Sequence, residues 1–210
     1  QEGFVAVHPT AVANSDDTRT IWQLAAPVAG THADAHDDVA FATALIDAVV
    51  GAWCADPARV YVTGMSNGGF FTARLVCELS DRIAAAISVA GLFHPDTCAP
   101  GRVVPYLAFH GTADEFVPFD GDGESLLRLD GTSLPDEFFT TDIPSAFGRF
   151  AAGAGCDATP VDTVLEAVPG TDGGTMIRHS YGGCDGVHLA RRAARRDDVL
   201  DDEHPVRRRQ

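Results

Sequence analysis

Gly64-Met65-Ser66-Asn67-Gly68 constrains this chain more than any other stretch, because of what flanks it. Before it, Arg59-Val60-Tyr61-Val62-Thr63 is β-branched and aromatic, the composition of a buried parallel strand. After it, Phe70, Phe71, Ala73, Leu75, Val76 and Leu79 predict a largely apolar helix that packs onto a sheet. A G-x-S-x-G sequence between strand and helix builds a sharp turn that holds its serine in a strained conformation. Glycines on either side are expected to keep side chains away from it. The competing reading is a Gly-rich turn with an incidental serine.

The rest of the chain supports a repeating strand–helix order. Gly3-Phe4-Val5-Ala6-Val7-His8-Pro9 reads as a short buried strand stopped by proline. A polar, irregular stretch containing Trp22 and Pro27 runs to about Asp37. From Asp38, Val39, Phe41, Ala42, Leu45, Ile46, Val49, Val50 and Trp53 recur at helical spacing, with Asp37 or Asp38 as N-cap. Ile83 to Ala90 and Tyr106 to Phe109 read as further apolar strands, a helix resumes around Ala146 to Ala151, and Thr175 to Tyr181 forms another strand. This order predicts an α/β fold with a mostly parallel, doubly wound sheet. Residues 120 to 144, rich in Gly, Asp, Thr and Pro, read as a long surface loop of the kind used as a lid or binding feature. From His188 the composition changes: seven of the fifteen arginines lie there among few strong hydrophobes. The expected division is therefore a domain over 1–187 and an arginine-rich tail over 188–210, mobile or non-native rather than a core strand or helix.

At 210 residues the chain is long enough for one domain with a substantial core. No apolar run approaches the roughly 18 residues that span a bilayer, so a soluble protein with no membrane partner is expected. The net charge is −15, with arginine as its sole strong base. That balance argues against nucleic acid, whose phosphates it would repel. Five cysteines lack C-x-x-C spacing, which weakens zinc and thioredoxin-like readings. The expected disulfides are Cys77–Cys98 and Cys156–Cys184, each bracketing one secondary-structure unit. They imply a secreted or periplasmic protein, and the alternative is five buried thiols in the cytosol. Cys54 is left over, either a buried thiol or one whose partner lies elsewhere. The chain begins with Gln1 rather than Met, as a mature, trimmed or fragmentary chain would.

A serine hydroxyl is a poor nucleophile until a histidine takes its proton and a carboxylate orients that histidine. In α/β-hydrolases, which carry their serine on such an elbow, the chain order is serine, acid, histidine. Asp114 is the expected acid, at the end of a strand running through Phe109-His110-Gly111-Thr112-Ala113. The alternatives are a turn aspartate capping its own backbone, and Glu115 as the acid. Three histidines follow: His179 inside a strand-like run, suited to a structural role, and His188 and His204 in or beside the tail. None stands out as the base. The backbone N–H of Asn67 is the expected oxyanion donor. Phe70, Phe93, Phe116 and Phe119 are candidates for an acyl or aromatic pocket, with plain core as the alternative. His32-Ala33-Asp34-Ala35-His36-Asp37-Asp38 has histidines at i and i+4 but is read as an acidic helix start; no metal and no cofactor is expected.

Several segments standing in one order carry a resemblance. They are Asp38-Val39-Ala40-Phe41 with Ala44-Leu45-Ile46-Asp47, Asp56-Pro57-Ala58-Arg59 through Gly69, Cys77-Glu78-Leu79-Ser80-Asp81-Arg82-Ile83-Ala84-Ala85, and Phe109 through Asp114. Over roughly residues 3 to 187 the chain resembles the polyhydroxybutyrate depolymerase and feruloyl esterase family, secreted α/β-hydrolases related to carbohydrate esterase family 1. The resemblance implies Ser66 as nucleophile, Asp114 as acid and a Cys156–Cys184 disulfide. Two departures stand against it. The family's N-terminal strand and His-Gly oxyanion loop would precede Gly3. Its Gly-Gly-His-x-Trp-Pro-like motif is replaced by Val187-His188-Leu189-Ala190-Arg191-Arg192, as a shifted reading frame near Gly186 would produce. The expectation is a serine esterase acting through an acyl-enzyme on Ser66, on hydroxyalkanoate oligomers or on feruloyl or acetyl esters of plant polysaccharide. The competing classes are a non-catalytic hydrolase-fold fragment or binding module, and an acyltransferase. Nothing in the sequence sets the oligomeric state.

Overall fold

The structure, a computed structural model, describes residues 3–12, 20–24, 36–121, 141–165 and 175–184, and the backbone of 189–195. Helix α1 spans Asp38–Trp53; Asp37 caps it, its side chain accepting the Ala40 N–H at 2.9 Å. Strand β1, Tyr61–Met65, leads directly into α2, Asn67–Glu78. Strands β2, Ala85–Val89, and β3, Tyr106–Gly111, follow, then α3 over Ile143–Gly153. Strands β4, Val161–Leu165, β5, Thr175–Tyr181, and β6, Leu189–Arg195, complete the six-stranded sheet in the order β1-β2-β3-β6-β5-β4. The pairs β1–β2, β2–β3 and β3–β6 are parallel, whereas β5 runs antiparallel to both β4 and β6. The fold is α/β and the sheet mostly parallel.

One sheet face carries the core. Alternate residues of β2 and β3, among them Ala86, Ser88, Tyr106 and Ala108, are buried on it. Phe70, Phe71, Leu75 and Val76 of α2 and Ile143, Phe147 and Phe150 of α3 are buried with them. Removing side chains of this size from water contributes about 1.5–3 kcal/mol each. Phe147 packs on Tyr106 and Tyr181, joining α3 to β3 and β5. Both anticipated disulfides are present. Cys77–Cys98 ties the end of α2 to the loop after β2, and Cys156–Cys184 joins the segment after α3 to the end of β5.

Four expectations are corrected. Residues 3–10 form no regular structure and are exposed, Phe4 among the most exposed side chains: the four apolar residues Phe4, Val5, Ala6 and Val7 do not make a strand by themselves, and no described strand pairs with them. Strand β1 is not buried, with Tyr61 64% and Met65 69% exposed on the face opposite α2, because no described element covers that side. Cys54 is an exposed thiol at the left-handed C-cap of α1 rather than a buried one. Leu189–Arg195, read from composition as a poor strand within the tail, is β6. Its backbone pairs with β3 on one side and β5 on the other, so two ladders' worth of hydrogen bonds outweigh weak strand propensity.

Candidate active site

Ser66 sits where β1 becomes α2, at φ 52° and ψ −120°, a backbone region costly for any residue with a Cβ. Its N–H is bonded to Val89 O at 2.9 Å, and its carbonyl accepts from Gly69 and Phe70 N–H. The turn is shaped by close approach of backbone to backbone. A Cβ on Gly64 would lie 2.1 Å from Gly68 O, and one on Gly91 would lie 2.1 Å from Ser66 O. Gly68 differs: a Cβ there meets nothing within 4 Å. So the first motif glycine is sterically required, while the second is not, correcting the expectation that both clear space beside the serine. Two further glycines at this turn lie outside the motif: a Cβ on Gly69 would come 2.7 Å from Gly91 O, and Gly91, whose signal was a lone glycine closing the β2 run, packs on Ser66 O.

Asn67 and Gly68 open α2, where backbone N–H groups have no intrahelical acceptor and the helix dipole favours negative charge. An oxyanion forming beside Ser66 would meet these donors. The Asn67 side chain is already engaged: Oδ1 accepts the Trp22 N–H at 2.7 Å, and Nδ2 donates to Trp22 O at 3.3 Å. From below, the Ser88 hydroxyl donates to Gly69 O at 3.1 Å and accepts from the Tyr106 hydroxyl. Burial raises the Tyr106 pKa above the ordinary tyrosine range, so its proton stays in that bond.

Asp114 follows β3, two strands from β1. Both are on the carboxyl edge of parallel strands, about 10 Å apart at two strand spacings. Asp114 does cap its own turn, Oδ1 accepting from Phe116 and Val117 N–H, each at 2.9 Å. A carboxylate has two oxygens, and this use of one leaves Oδ2. His110, which sequence reasoning passed over, clamps the same turn. Its buried Nε2 lies 2.7 Å from Val117 O, so it carries the proton, and Asp114 Oδ2 is 3.6 Å away. Glu115, the alternative acid, has no partner assigned among the described contacts.

The remaining candidates separate. His179 lies on β5, paired with Asp162 of β4. The register row through Gly64, Ser88, Ala108, Arg191 and His179 puts it four strands, roughly 19 Å, from Gly64, too far to serve Ser66. His188 and His204 lie outside the described residues. Phe70 and Phe93 are core residues packed edge to face, Phe116 is exposed, and Phe119 is half-buried against His110. His94, half-buried in the loop after β2, is held below its ordinary pKa by burial and then by the Arg149 guanidinium. Among the described residues no group of three His, Cys, Asp or Glu side chains converges as metal ligands. His32 and Asp34 lie outside them, Asp37 caps α1, and buried Asp38 accepts the Gln23 N–H.

The strand–turn–helix sets a strained serine at the head of a helix in an α/β fold with parallel strands behind it. Parts of the chain are similar to known esterases. The chain is 37% identical over 102 residues to a putative esterase, NocK, of Nocardia uniformis, covering 48% of this chain and 30% of that protein. It is 37% identical over 90 residues to feruloyl esterase B of Piromyces equi, covering 40% of this chain and 17% of that protein. A crystal structure of a thermostable esterase matches 40% of this chain and 23% of its own, at 26% identity and a TM-score of 0.37. No family model matches. The chain spans less than a third of the length of either relative.

Proposed function

We propose that this chain carries the nucleophile and acid of a serine esterase, with Ser66 attacking a carboxylic ester and Asp114 orienting the base. The observation that carries the reading is the strained Ser66 at the head of α2. In the first step Ser66 Oγ bonds to the ester carbonyl carbon as the base takes its proton. The oxyanion faces the Asn67 N–H; collapse expels the alcohol, protonated by the base, and leaves an acyl-serine that water then hydrolyses. Strand β6 runs parallel to β3, so its Arg195 end lies on the edge that carries Asp114. This favours a base supplied beyond Arg195, where the sequence offers His204, over His188, which precedes the strand's other end. Relatives named for feruloyl esters favour feruloyl or acetyl groups on plant polysaccharide over hydroxyalkanoate oligomers. The two disulfides favour an oxidising, extracellular or periplasmic setting.

Hydrolysis of p-nitrophenyl butyrate and methyl ferulate tests the reading. Ser66→Ala should lower kcat by on the order of a thousandfold or more, and His204→Ala by a comparable factor while His188→Ala does not. A folded parent with no turnover of either ester would instead make this a hydrolase-fold module without catalysis.

A further inference from the structure

The short segment Thr20–Leu24 is tied down more heavily than its irregular sequence suggests. Trp22 exchanges two hydrogen bonds with the Asn67 carboxamide, which acts like one residue of an antiparallel strand pair. One residue on, the Gln23 N–H donates to Asp38 Oδ2 at 2.7 Å, and Gln23 O accepts from Arg74 Nη1 at 2.8 Å. Both of those charged side chains are buried, and Arg74 is itself braced by Glu78 at 2.6 Å. The Trp22 indole lies flat on Phe71 of α2, 4.8 Å between centroids and 3° from parallel, and meets Phe41 of α1 at 6.2 Å. A strap thus crosses the start of α2, held at Trp22 by Asn67 and Phe71 and at Gln23 by Asp38 and Arg74.

We propose that Asn67 is a positioning residue: its side chain docks this strap onto the first turn of α2, and the docking fixes where its own N–H points beside Ser66. The inference rests on the esterase reading for its catalytic half and on geometry alone for the docking. The physical reason is that the donor and the clamp share one residue. The N–H groups of the first residues of a helix have no intrahelical acceptor to hold them, and Asn67 is the first residue of α2. With its carboxamide bonded on both sides, the residue has little freedom left. Without it, Trp22 N–H and O lose their partners and the strap is free to lift from the turn. A donor misplaced by a fraction of an ångström weakens transition-state binding more than substrate binding, so the loss falls on kcat.

Trp22 and Trp53 are the only tryptophans, and Trp53 is exposed near the end of α1, so a Trp53→Phe background makes indole emission a report on the strap alone. In that background Asn67→Ala is expected to red-shift Trp22 emission and increase its quenching by acrylamide, while far-ultraviolet circular dichroism stays that of the parent. With p-nitrophenyl butyrate, kcat should fall roughly 10- to 100-fold, with KM changed less than about threefold. Trp22→Ala should lower kcat in the same way, and Trp22→Phe, which keeps a ring on Phe71, should restore most of it. Unchanged emission and quenching in Asn67→Ala would overturn the docking. Altered emission with unchanged kcat would overturn the positioning role. A parent with no esterase activity sinks the functional reading and the catalytic half with it, while the emission measurements still decide the docking.

Discussion

Ser66 is held in a conformation that costs about 1–3 kcal/mol, and the structure shows what sustains it. Main-chain atoms press together beneath the turn, with Gly68 O over Gly64 and Ser66 O over Gly91. Neither contact leaves room for a methyl group. Gly64→Ala must therefore push the first turn of α2 away from β1, and a loss of about 3 kcal/mol is expected by urea denaturation. Gly68→Ala should fold normally and shift stability by less than about 1 kcal/mol, since its Cβ enters open space within a helix that alanine suits. An equal penalty at both positions would mean the turn is not packed as described. The candidate site residues Ser66, Asn67 and Asp114, and Gly64 packed against Gly68 O, were legible as letters. His110 and Gly91 were not, because their roles depend on a carbonyl brought close by the fold, Val117 O for one and Ser66 O for the other.

Elements with a strong period and a partner close in sequence were readable: α1, α2, β2, β3, α3 and β5 fall where their apolar spacing predicts. Those that depend on distant partners were not. Strand β6 exists between two strands that need its backbone, and residues 3–10 fail to form a strand although their side chains suit one. The strap at 20–24 likewise has no periodicity; it is defined by buried Asp38 and Arg74, which only the folded chain brings to it. Disulfide Cys77–Cys98 belongs to this scale, closing the unit of α2, the following turn and β2 across a separation of 21 residues. Replacing both cysteines by serine is expected to cost about 3 kcal/mol, read as a lowered denaturation midpoint and abolished in the parent by reductant. A midpoint unchanged by both treatments would show that packing alone holds α2 against β2.

Across the molecule, parallel strand order does what local sequence cannot: it sets Ser66 and Asp114, far apart in the chain, on one sheet edge. The chain as a whole carries a net charge of −15. Fields of this kind are screened within about 10 Å at 0.1 M salt, so their effect on a charged substrate depends on ionic strength. Raising salt from about 10 mM to about 300 mM should increase kcat/KM for an anionic ester several-fold and leave a neutral ester of the same acyl group unchanged. Equal rates on both esters at low salt would remove the charge from any account of substrate choice.

The contact under Ser66 has one more consequence. Because main-chain atoms make it, the height and tilt of the nucleophile are set beneath the turn and not by the side chains above the serine. Libraries that randomise the aromatic residues nearby, with the strap and the turn after β3 left intact, can alter what fits above the serine without shifting the serine itself. Variants drawn from such libraries should differ in substrate preference far more than in the rate at which a small, unhindered reagent labels Ser66.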